Sequence, residues 1–534
     1  MKDLKTRVME EYISENMPDA RLYDYRDAES DMSFYDIEEL SRVSGDWFPL
    51  SCHLSPEGRA IYGGRSGVVH TYVQGDTGSG KTTRVCVQEL RALAATADKP
   101  SFVVTDPHGE IAETLYDHLK NNGYEIRIVN CDEPGRSDTY NPLYRIAKEV
   151  YEREAISESH YADIHRIVGI LIPIEDTKDP IWERGARSYT EGLMLDKLED
   201  IRDRLMKPEK FTIYNIIQNH HWVKNKIGEM GYSVSLMNIP HFSKKGHSNR
   251  AVQKMLSTVI GAEKTRDSYF SVAEVNYERI GSSGFFALSS SSTVNVQTVF
   301  DKPTAIFIQS AVSDAADMLV SLLVNDIYTS IVESGKKQFG KQARRKIHCF
   351  LDEFANCNIA EDGKSFIKML TTSRKFGMYW HMMLQCDAQI ESKFDANVSR
   401  IIRANCSEIF IASNDISTCT RFSEGCGKRT TESLASLTAD DDRPISLETV
   451  PLITAESLNL LPMGSMYVRS PRRSLMKTYF EAWYNCDEIT PVRKLDSIYP
   501  VNRSKPESTV FYPDEADKAA ESKVKWIRST TGKS

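Results

Sequence analysis

The sequence predicts an α/β fold in which helices cover a largely parallel β-sheet. Two observations support this fold. A β-rich run at residues 68–74 is followed by a glycine-rich turn and a helical stretch at 83–95. Two further apolar runs, at 102–105 and 125–129, are separated by a segment with helical spacing. Alternating strands and helices are typical of parallel sheets, because each parallel crossover needs a connection long enough to hold a helix.

Changes in pattern along the chain predict five regions. Strand signals fade between about 145 and 290, where helical patterns dominate, and then return at 304–308, 347–351, 379–385 and 407–411. The expected regions are an acidic N-terminal segment (1–64), an α/β domain in two parts (65–144 and 291–485), an inserted all-helical domain (145–290) and a C-terminal extension that is largely a flexible tail (486–534).

Length and composition exclude several classes of protein. The chain has 534 residues, of which 40% are hydrophobic and 27% are charged, so it is neither mostly disordered nor collagen-like. Residues 1–20 are too densely charged for a signal peptide, and we find no apolar run of the length that spans a membrane. The ten cysteines form no C-x-x-C pair, which favours reduced thiols and a cytoplasmic location.

The net charge of −8 is concentrated near the N terminus. Residues 1–50 carry 13 Asp and Glu against 6 Lys and Arg, a net of −7, which leaves −1 for the remainder. A nearly neutral body excludes a protein that coats nucleic acid with its whole surface, but it allows a local basic groove or pore. Two basic clusters, at 244–250 and 336–346, either line such a channel or are ordinary solvated surfaces.

Residues 75–82 match the phosphate-binding pattern G-x-x-x-x-G-K-[ST] in full, between a strand and a helix as that pattern requires. Backbone N–H groups of this P-loop would bind phosphate oxygens, Lys81 would reach the β- and γ-phosphates of ATP, and Thr82 would ligate Mg²⁺. The predicted nucleotide-binding residues are Gly75, Asp76, Thr77, Gly78, Ser79, Gly80, Lys81, Thr82 and Thr83.

The apolar run at 347–351 ends at two carboxylates, Asp352 and Glu353. At the carboxyl end of a parallel strand, Asp352 could act as a Walker B aspartate that helps to hold Mg²⁺, and Glu353 could polarise the attacking water. Alternatively, the pair begins a solvated loop or caps a helix. Together with the P-loop, the pair favours an ATPase over a passive nucleotide-binding protein.

Two further polar residues are candidates for the same site. Gln385 ends the strand at 379–385, so its amide could sense the γ-phosphate at the carboxyl edge of the sheet. Arg374 lies eleven residues earlier, in a segment that we expect to be exposed near the edge of the nucleotide crevice. It is either a finger inserted into a neighbouring subunit's site or a plain solvated arginine, and the spacing leaves both open.

Taken together, these motifs resemble the coupling-protein ATPases of conjugative type IV secretion systems, and the resemblance covers about residues 65–485. It is carried, in order, by the P-loop at 75–82, Val103–Glu110 (with His108 where the family has lysine), Tyr140-Asn141-Pro142-Leu143, Asp179-Pro180-Ile181-Trp182, Lys302-Pro303-Thr304, Leu351-Asp352-Glu353-Phe354, Arg374, Gln385, Ala404-Asn405-Cys406, Asn414-Asp415 and Leu461-Pro462-Met463-Gly464.

The resemblance implies a RecA-type P-loop NTPase motor domain with an inserted all-helical domain, and a homo-hexameric ring whose channel passes single- or double-stranded DNA. The implied catalytic residues are Lys81, Glu353, Gln385 and Arg374, with Arg374 acting in trans. The implied partners are the relaxase or relaxosome and the channel ATPase and membrane subunits of the secretion system. Family members usually begin with two membrane-spanning helices, which 1–64 lack, so we expect either a separate tether at the cytoplasmic face of the membrane or a soluble branch.

Three functions remain open at this stage. The first is an ATP-driven motor that recruits relaxase-bound DNA and translocates it. The second is an ATP-switched adaptor that recruits relaxase or effector proteins without moving DNA. The third is a motor whose cargo is protein. The Asp352–Glu353 pair and the available arginine favour the first.

Overall fold

The computed structural model describes residues 22, 31–67, 70–174, 180–231, 235–259, 263–309, 314–337, 345–356, 359–360, 362–432, 447–486 and 498–531. Its strands are β1 (Ser33–Asp36), β2 (Trp47–Leu54), β3 (Ala60–Ser66), β4 (Thr71–Gly75), β5 (Ser101–Thr105), β6 (Glu125–Asn130), β7 (Thr304–Gln309), β8 (Ile347–Leu351), β9 (Met378–Leu384), β10 (Ser407–Ala412), β11 (Lys428–Glu432), β12 (Leu447–Pro451), β13 (Ser465–Arg469) and β14 (Met476–Tyr479).

Nine of these strands form one sheet in the order β14-β13-β10-β4-β9-β8-β5-β7-β6. The seven strands from β10 to β6 are parallel, and β13 and β14 add an antiparallel edge. Every residue of β5, β7, β8 and β9 is buried, which requires that both faces of the sheet are covered. The predicted α/β fold is therefore confirmed.

The α-helices are α1 (Val87–Ala95), α2 (Glu110–Asn121), α3 (Tyr144–Arg153), α4 (Glu158–Leu171), α5 (Ile181–Arg202), α6 (Ile213–Met230), α7 (Pro240–Lys245), α8 (Arg250–Val259), α9 (Glu263–Ile280), α10 (Ser283–Ser289), α11 (Thr298–Asp301), α12 (Asp314–Lys337), α13 (Gly363–Ser373), α14 (Asp387–Lys393), α15 (Ala396–Ala404), α16 (Ile416–Cys426), α17 (Ala455–Asn459) and α18 (Pro513–Thr531). Where the structure describes the chain between β6 and β7, it shows α3 to α11 and no strand, in the region where the sequence predicts an all-helical insertion.

The N-terminal region contains a small antiparallel sheet in the order β1-β3-β2. This sheet packs on the nine-stranded sheet: the Phe48 ring stacks on His381 with centroids 4.9 Å apart, and the Thr478 hydroxyl donates to the Leu50 carbonyl over 2.8 Å. The acidic N-terminal segment is therefore folded from residue 31 onward and packs on the large sheet. Apart from Leu22, residues 1–30 lie outside the described part of the chain.

The C-terminal residues 498–523 run along the helical region rather than away from it. Phe511 is buried, its backbone N–H donates to the Asn215 side chain over 2.9 Å, and its carbonyl accepts from Asn219 over 3.1 Å. The expectation of a largely flexible tail is therefore wrong for these residues. This docking could not be predicted from local sequence, because it depends on hydrogen bonds between the backbone of Phe511 and side chains almost 300 positions earlier.

One helix among the described residues is long and apolar enough to cross a membrane, the stretch 315–334 of α12. Polar and charged residues interrupt this stretch, so it does not stand out in the sequence as an apolar run. Of its most apolar 18 residues, 72% are buried inside the protein, as in the core helix of a folded domain.

The basic cluster at 244–250 is largely occupied within the chain. Lys245 donates to Asp196 over 2.5 Å and to Glu199 over 3.2 Å, Lys244 lies 3.3 Å from Asp517, and Arg250 donates to a glutamate on α4. Since these cations already pair with carboxylates, the cluster matches the interpretation as ordinary surface better than a DNA channel. In the other basic cluster, residues 338–344 lie outside the described part, as does Asp179 of the motif in the helical region.

Candidate functional site

The P-loop follows β4 at the carboxyl edge of the sheet and leads into a π-helical turn, Lys81–Cys86, that continues as α1. Two of its glycines are required by the geometry. A Cβ on Gly75 would lie 2.4 Å from the Ser79 hydroxyl oxygen. Gly80 has a φ of +97°, which side chains disfavour. The backbone can therefore curl tightly here, as binding a phosphate group requires.

The polar groups inside the loop fit a phosphate ligand. Lys81 folds back over the loop and donates to the carbonyls of Gly75 and Asp76, over 2.5 and 3.0 Å. Burial lowers the pKa of Lys81, while the nearby carboxylates of Asp352, Asp76 and Glu353 favour its charged form. The Ser79 hydroxyl is buried without a hydrogen-bond partner among the described residues. Phosphate oxygens could accept from both side chains.

Thr82 and Asp352 fit a magnesium ion between them. The Thr82 hydroxyl donates to Oδ2 of Asp352 over 3.0 Å. Burial raises the pKa of Asp352, and the charge of Glu353 raises it further, whereas Thr82 and Lys81 oppose this shift. A divalent cation would relieve this cost, because it favours the ionised carboxylate. Hydroxyl and carboxylate oxygens are also the ligands that Mg²⁺ prefers.

Glu353 has an unusual backbone conformation, with a φ of +56°. This left-handed conformation costs a non-glycine residue of the order of 1 kcal/mol or more. The turn is fixed on the sheet side, because the Thr105 hydroxyl donates to the Asp352 carbonyl over 3.0 Å. Strained residues of this kind cluster at functional sites, which agrees with the role that the sequence predicts for Glu353.

Gln385 directly follows β9, which lies between β4 and β8 in the sheet. Its backbone N–H donates to the Gln389 side chain over 2.8 Å, at the start of the next helix. Because β4, β9 and β8 are parallel, Lys81, Gln385 and Asp352 all lie at the same edge of the sheet. The structure thus brings together every predicted site residue except one.

That exception is Arg374, which lies at the opposite edge of the sheet. It begins a 3₁₀ turn, Arg374–Phe376, just before β9, and its side chain is exposed. The seven residues of β9 separate it from Gln385, a distance of roughly 20 Å at about 3.3 Å per residue. The expectation that Arg374 lies near the edge of the nucleotide crevice is therefore wrong, because β9 begins beside the Arg374 turn and runs from there toward the P-loop edge, where Gln385 follows its last residue.

A buried carboxylate that the sequence does not reveal, Asp387, lies behind the P-loop. It accepts hydrogen bonds from Gln74 over 2.9 Å, from Arg403 over 2.9 Å and from Arg421. Gln74 immediately precedes the P-loop, and Asp387 follows Gln385 by two positions. The network therefore ties the P-loop strand to the end of β9. Nothing in the local sequence distinguishes Asp387 from a surface helix cap.

Two further aspartates shape the loops of this edge. Asp76 accepts from the backbone N–H of Asn414 over 2.5 Å, which gives the Asn414-Asp415 motif a structural role beside the P-loop. Asp106 accepts from the N–H groups of Ile111 and Ala112, over 3.3 and 2.8 Å, at the start of α2. Burial raises the pKa of Asp106 to about 7, with the charge of Asp352 adding to the shift.

Comparison with solved structures shows that the fold is shared with plasmid coupling proteins. The chain is similar to the bacterial conjugative coupling protein TrwBdeltaN70 in its unbound form, with a TM-score of 0.54 at 15% identity over 88% of this chain and 93% of that one. It is also similar to TrwB in complex with the non-hydrolysable ATP analogue ADPNP, with a TM-score of 0.54 at 16% identity over 82% of this chain and 87% of that one.

A third similar structure is TrwB in complex with ADP and Mg²⁺, with a TM-score of 0.51 at 16% identity, covering 88% of this chain and 93% of that chain. A comparison with curated protein sequences finds no match. Residues 38–462 match the family described as type IV secretory system conjugative DNA transfer, which is most of the chain. With the P-loop and its carboxylate partners on one sheet edge, the chain therefore belongs to the type IV secretory system conjugative DNA-transfer family.

Proposed function

We propose that this protein is an ATP-hydrolysing coupling protein that recruits relaxase-bound DNA to a type IV secretion channel and drives its transfer. The observation that carries the proposal is the convergence of Lys81, Thr82, Asp352 and Glu353 at one sheet edge. Similar structures hold an ATP analogue in one case and ADP with Mg²⁺ in another, which supports MgATP as the ligand here. The family supports DNA transfer as the purpose.

In this proposal each residue has one task. The P-loop N–H groups and Lys81 bind the β- and γ-phosphate oxygens, and Lys81 stabilises the charge that develops on them. Thr82 and Asp352 hold Mg²⁺, which supplies further charge neutralisation when bound. Glu353 orients the attacking water and accepts its proton as the bond from oxygen to the γ-phosphorus forms and the bond to the β-phosphate oxygen breaks. Gln385 contacts the γ-phosphate.

Arg374 completes the site of a neighbouring subunit. Because it lies at the opposite edge of the sheet from its own P-loop, it can act on a nucleotide only in trans. A ring in which the amino edge of one sheet faces the P-loop edge of the next satisfies this requirement, and we propose a homo-hexamer. A separate membrane subunit tethers the ring at the cytoplasmic face of the membrane, and the relaxase brings the DNA to it.

Steady-state ATP hydrolysis across a range of protein concentrations tests the proposal. Activity should rise more than linearly with protein, increase with single- or double-stranded DNA, and be lost in Lys81→Ala and Arg374→Ala. Removal of an arginine finger lowers turnover by about 10³-fold or more. Lys375→Ala is the matched control, since Lys375 is the exposed neighbour of Arg374 on the same turn.

The alternatives give different results in the same assay. Nucleotide binding without hydrolysis at every protein concentration would contradict the motor and support the ATP-switched adaptor. Hydrolysis that responds to effector protein but not to DNA would indicate a protein cargo. Hydrolysis proportional to protein concentration, unchanged in Arg374→Ala, would contradict the shared site.

A further inference from the structure

The turn that carries Arg374 is held by buried polar side chains. Arg374 directly follows the last residue of α13. Gly377, with a φ of +85°, ends the turn before β9 begins. The N–H of Gly377 donates back to the Arg374 carbonyl over 3.2 Å. The exposed guanidinium is therefore carried by a short turn of defined shape rather than by a long loop.

The ring of His70 joins the two sides of this turn. Its Nδ1 accepts from the backbone N–H of Trp380 on β9 over 3.0 Å. Its Nε2 lies 3.0 Å from the carbonyl of Leu370 in the last turn of α13. Since an N–H can only donate and a carbonyl can only accept, the neutral ring with its proton on Nε2 satisfies both partners.

Burial keeps this ring neutral. His70 is 3% exposed, and burial lowers its pKa to about 3, to which the nearby positive charge of Arg374 also contributes. A second pair of hydrogen bonds also connects β9 to α13. The indole N–H of Trp380 donates to the Ser373 hydroxyl over 2.8 Å, and that hydroxyl donates to the Leu370 carbonyl over 3.2 Å.

We propose that His70 is a positioning residue for Arg374, which holds α13 and β9 together so that the guanidinium points in one direction toward the neighbouring subunit. This inference rests on the proposed trans role of Arg374. His70 also directly precedes β4, the strand that ends at the P-loop. Through His70, the turn that carries Arg374 is therefore connected to β4, the strand that leads to the P-loop of the same subunit.

Two variants separate the two bonds of the ring. His70→Gln retains an amide donor for Leu370, and His70→Asn retains an acceptor for Trp380. We expect each to lower kcat for ATP at least about 10-fold while KM for ATP changes less than about 2-fold, because the P-loop is intact and only transition-state charge stabilisation is lost. In an Arg374→Ala background, neither variant should lower kcat further. Ser373→Ala provides a milder test if the histidine variants fold poorly.

Mixing subunits distinguishes positioning of the finger from damage to β4. Lys81→Ala subunits cannot hydrolyse ATP, but they carry an intact Arg374. In mixed rings, a His70→Gln subunit that receives its finger from a Lys81→Ala neighbour should regain hydrolysis. Activity of the mixture above that of either variant alone would support the inference. No gain would overturn it, because the defect would then lie in the variant's own nucleotide site.

A mixture of Arg374→Ala with Lys81→Ala subunits is the reference. If this mixture gains activity and the His70→Gln mixture does not, the inference about His70 fails and the proposed function stands. If the reference mixture gains none, the trans role of Arg374 fails, and the inference about His70 fails with it.

Discussion

Thr82 and Asp352 are joined by a hydrogen bond of 3.0 Å, although the strands that lead to them, β4 and β8, are not neighbours. The intervening strand β9 separates them by two strand spacings, about 10 Å. The P-loop closes this gap, because it carries the chain from the end of β4 to Thr82 in the π-helical turn Lys81–Cys86, where the hydroxyl reaches Asp352 just beyond the end of β8. The two oxygen atoms are therefore close enough to bind the same Mg²⁺ ion.

Thr82→Val should raise the Mg²⁺ concentration needed for half-maximal ATP hydrolysis at least about 10-fold, since it replaces an oxygen ligand with a methyl group. A titration of hydrolysis with Mg²⁺ at fixed ATP measures the effect. Thr82→Ser keeps the hydroxyl and is the matched control. An unchanged Mg²⁺ requirement in Thr82→Val would show that this hydroxyl is not a ligand.

Gly75→Ala should weaken ATP binding at least about 10-fold, because the added Cβ would meet the Ser79 hydroxyl oxygen at 2.4 Å and force the loop open. Equilibrium binding of a fluorescent ATP analogue measures this loss. In a Ser79→Ala background, which lacks the obstructing oxygen, Gly75→Ala should weaken ATP binding less than it does in the unaltered protein. An equal loss in the two backgrounds would show that the clash is not the cause.

Asp387→Asn should destabilise the protein by about 3 kcal/mol, since Arg403 would lose its buried carboxylate, whereas Arg421 keeps a second one in Glu408. The midpoint of urea-induced unfolding measures the change. Glu391→Gln is the control: its carboxylate is largely exposed and 3.7 Å from Arg403, so we expect less than about 1 kcal/mol. Equal effects of the two variants would contradict a special role for the buried group.

Asp106 should make the protein less stable as the pH rises from about 4 to 7. Its pKa is about 7 in the folded chain and near 3.8 in the unfolded chain, so unfolding releases a proton in this range. The free energy of unfolding should therefore fall by up to about 1.4 kcal/mol per pH unit from this group. Asp106→Asn removes that slope, and urea unfolding at several pH values compares the two proteins. Parallel pH profiles would exclude Asp106 as the source.

The core of the α/β domain was predictable from local sequence because each part carries its own signal. The P-loop has a fixed spacing between strand and helix, and apolar runs mark β5, β7 and β8. The Asp352–Glu353 pair follows directly from the end of its strand. The sheet order, and therefore the distance between Arg374 and its own nucleotide site, does not appear in any local pattern.

The small N-terminal sheet and the C-terminal docking segment were not predictable for a different reason. In β3, Gly63 and Gly64 leave room for the Phe34 and Trp47 rings of the flanking strands, and glycines normally indicate a turn or a loop. In the docking segment, Phe511 is one of few buried apolar side chains. The apolar run around it, Val510-Phe511-Tyr512, is too short to give a periodic signal, so long-range hydrogen bonds decide the structure there.

The docking of Phe511 also affects when the helical region can finish folding during synthesis. Asn215 and Asn219 on α6 find their backbone partners at residue 511, almost 300 positions later. Until residue 511 has been synthesised, the site that Phe511 fills beside α6 lacks its occupant. The helical region therefore begins to fold early, but its folding is complete only after both parts of the sheet have been synthesised.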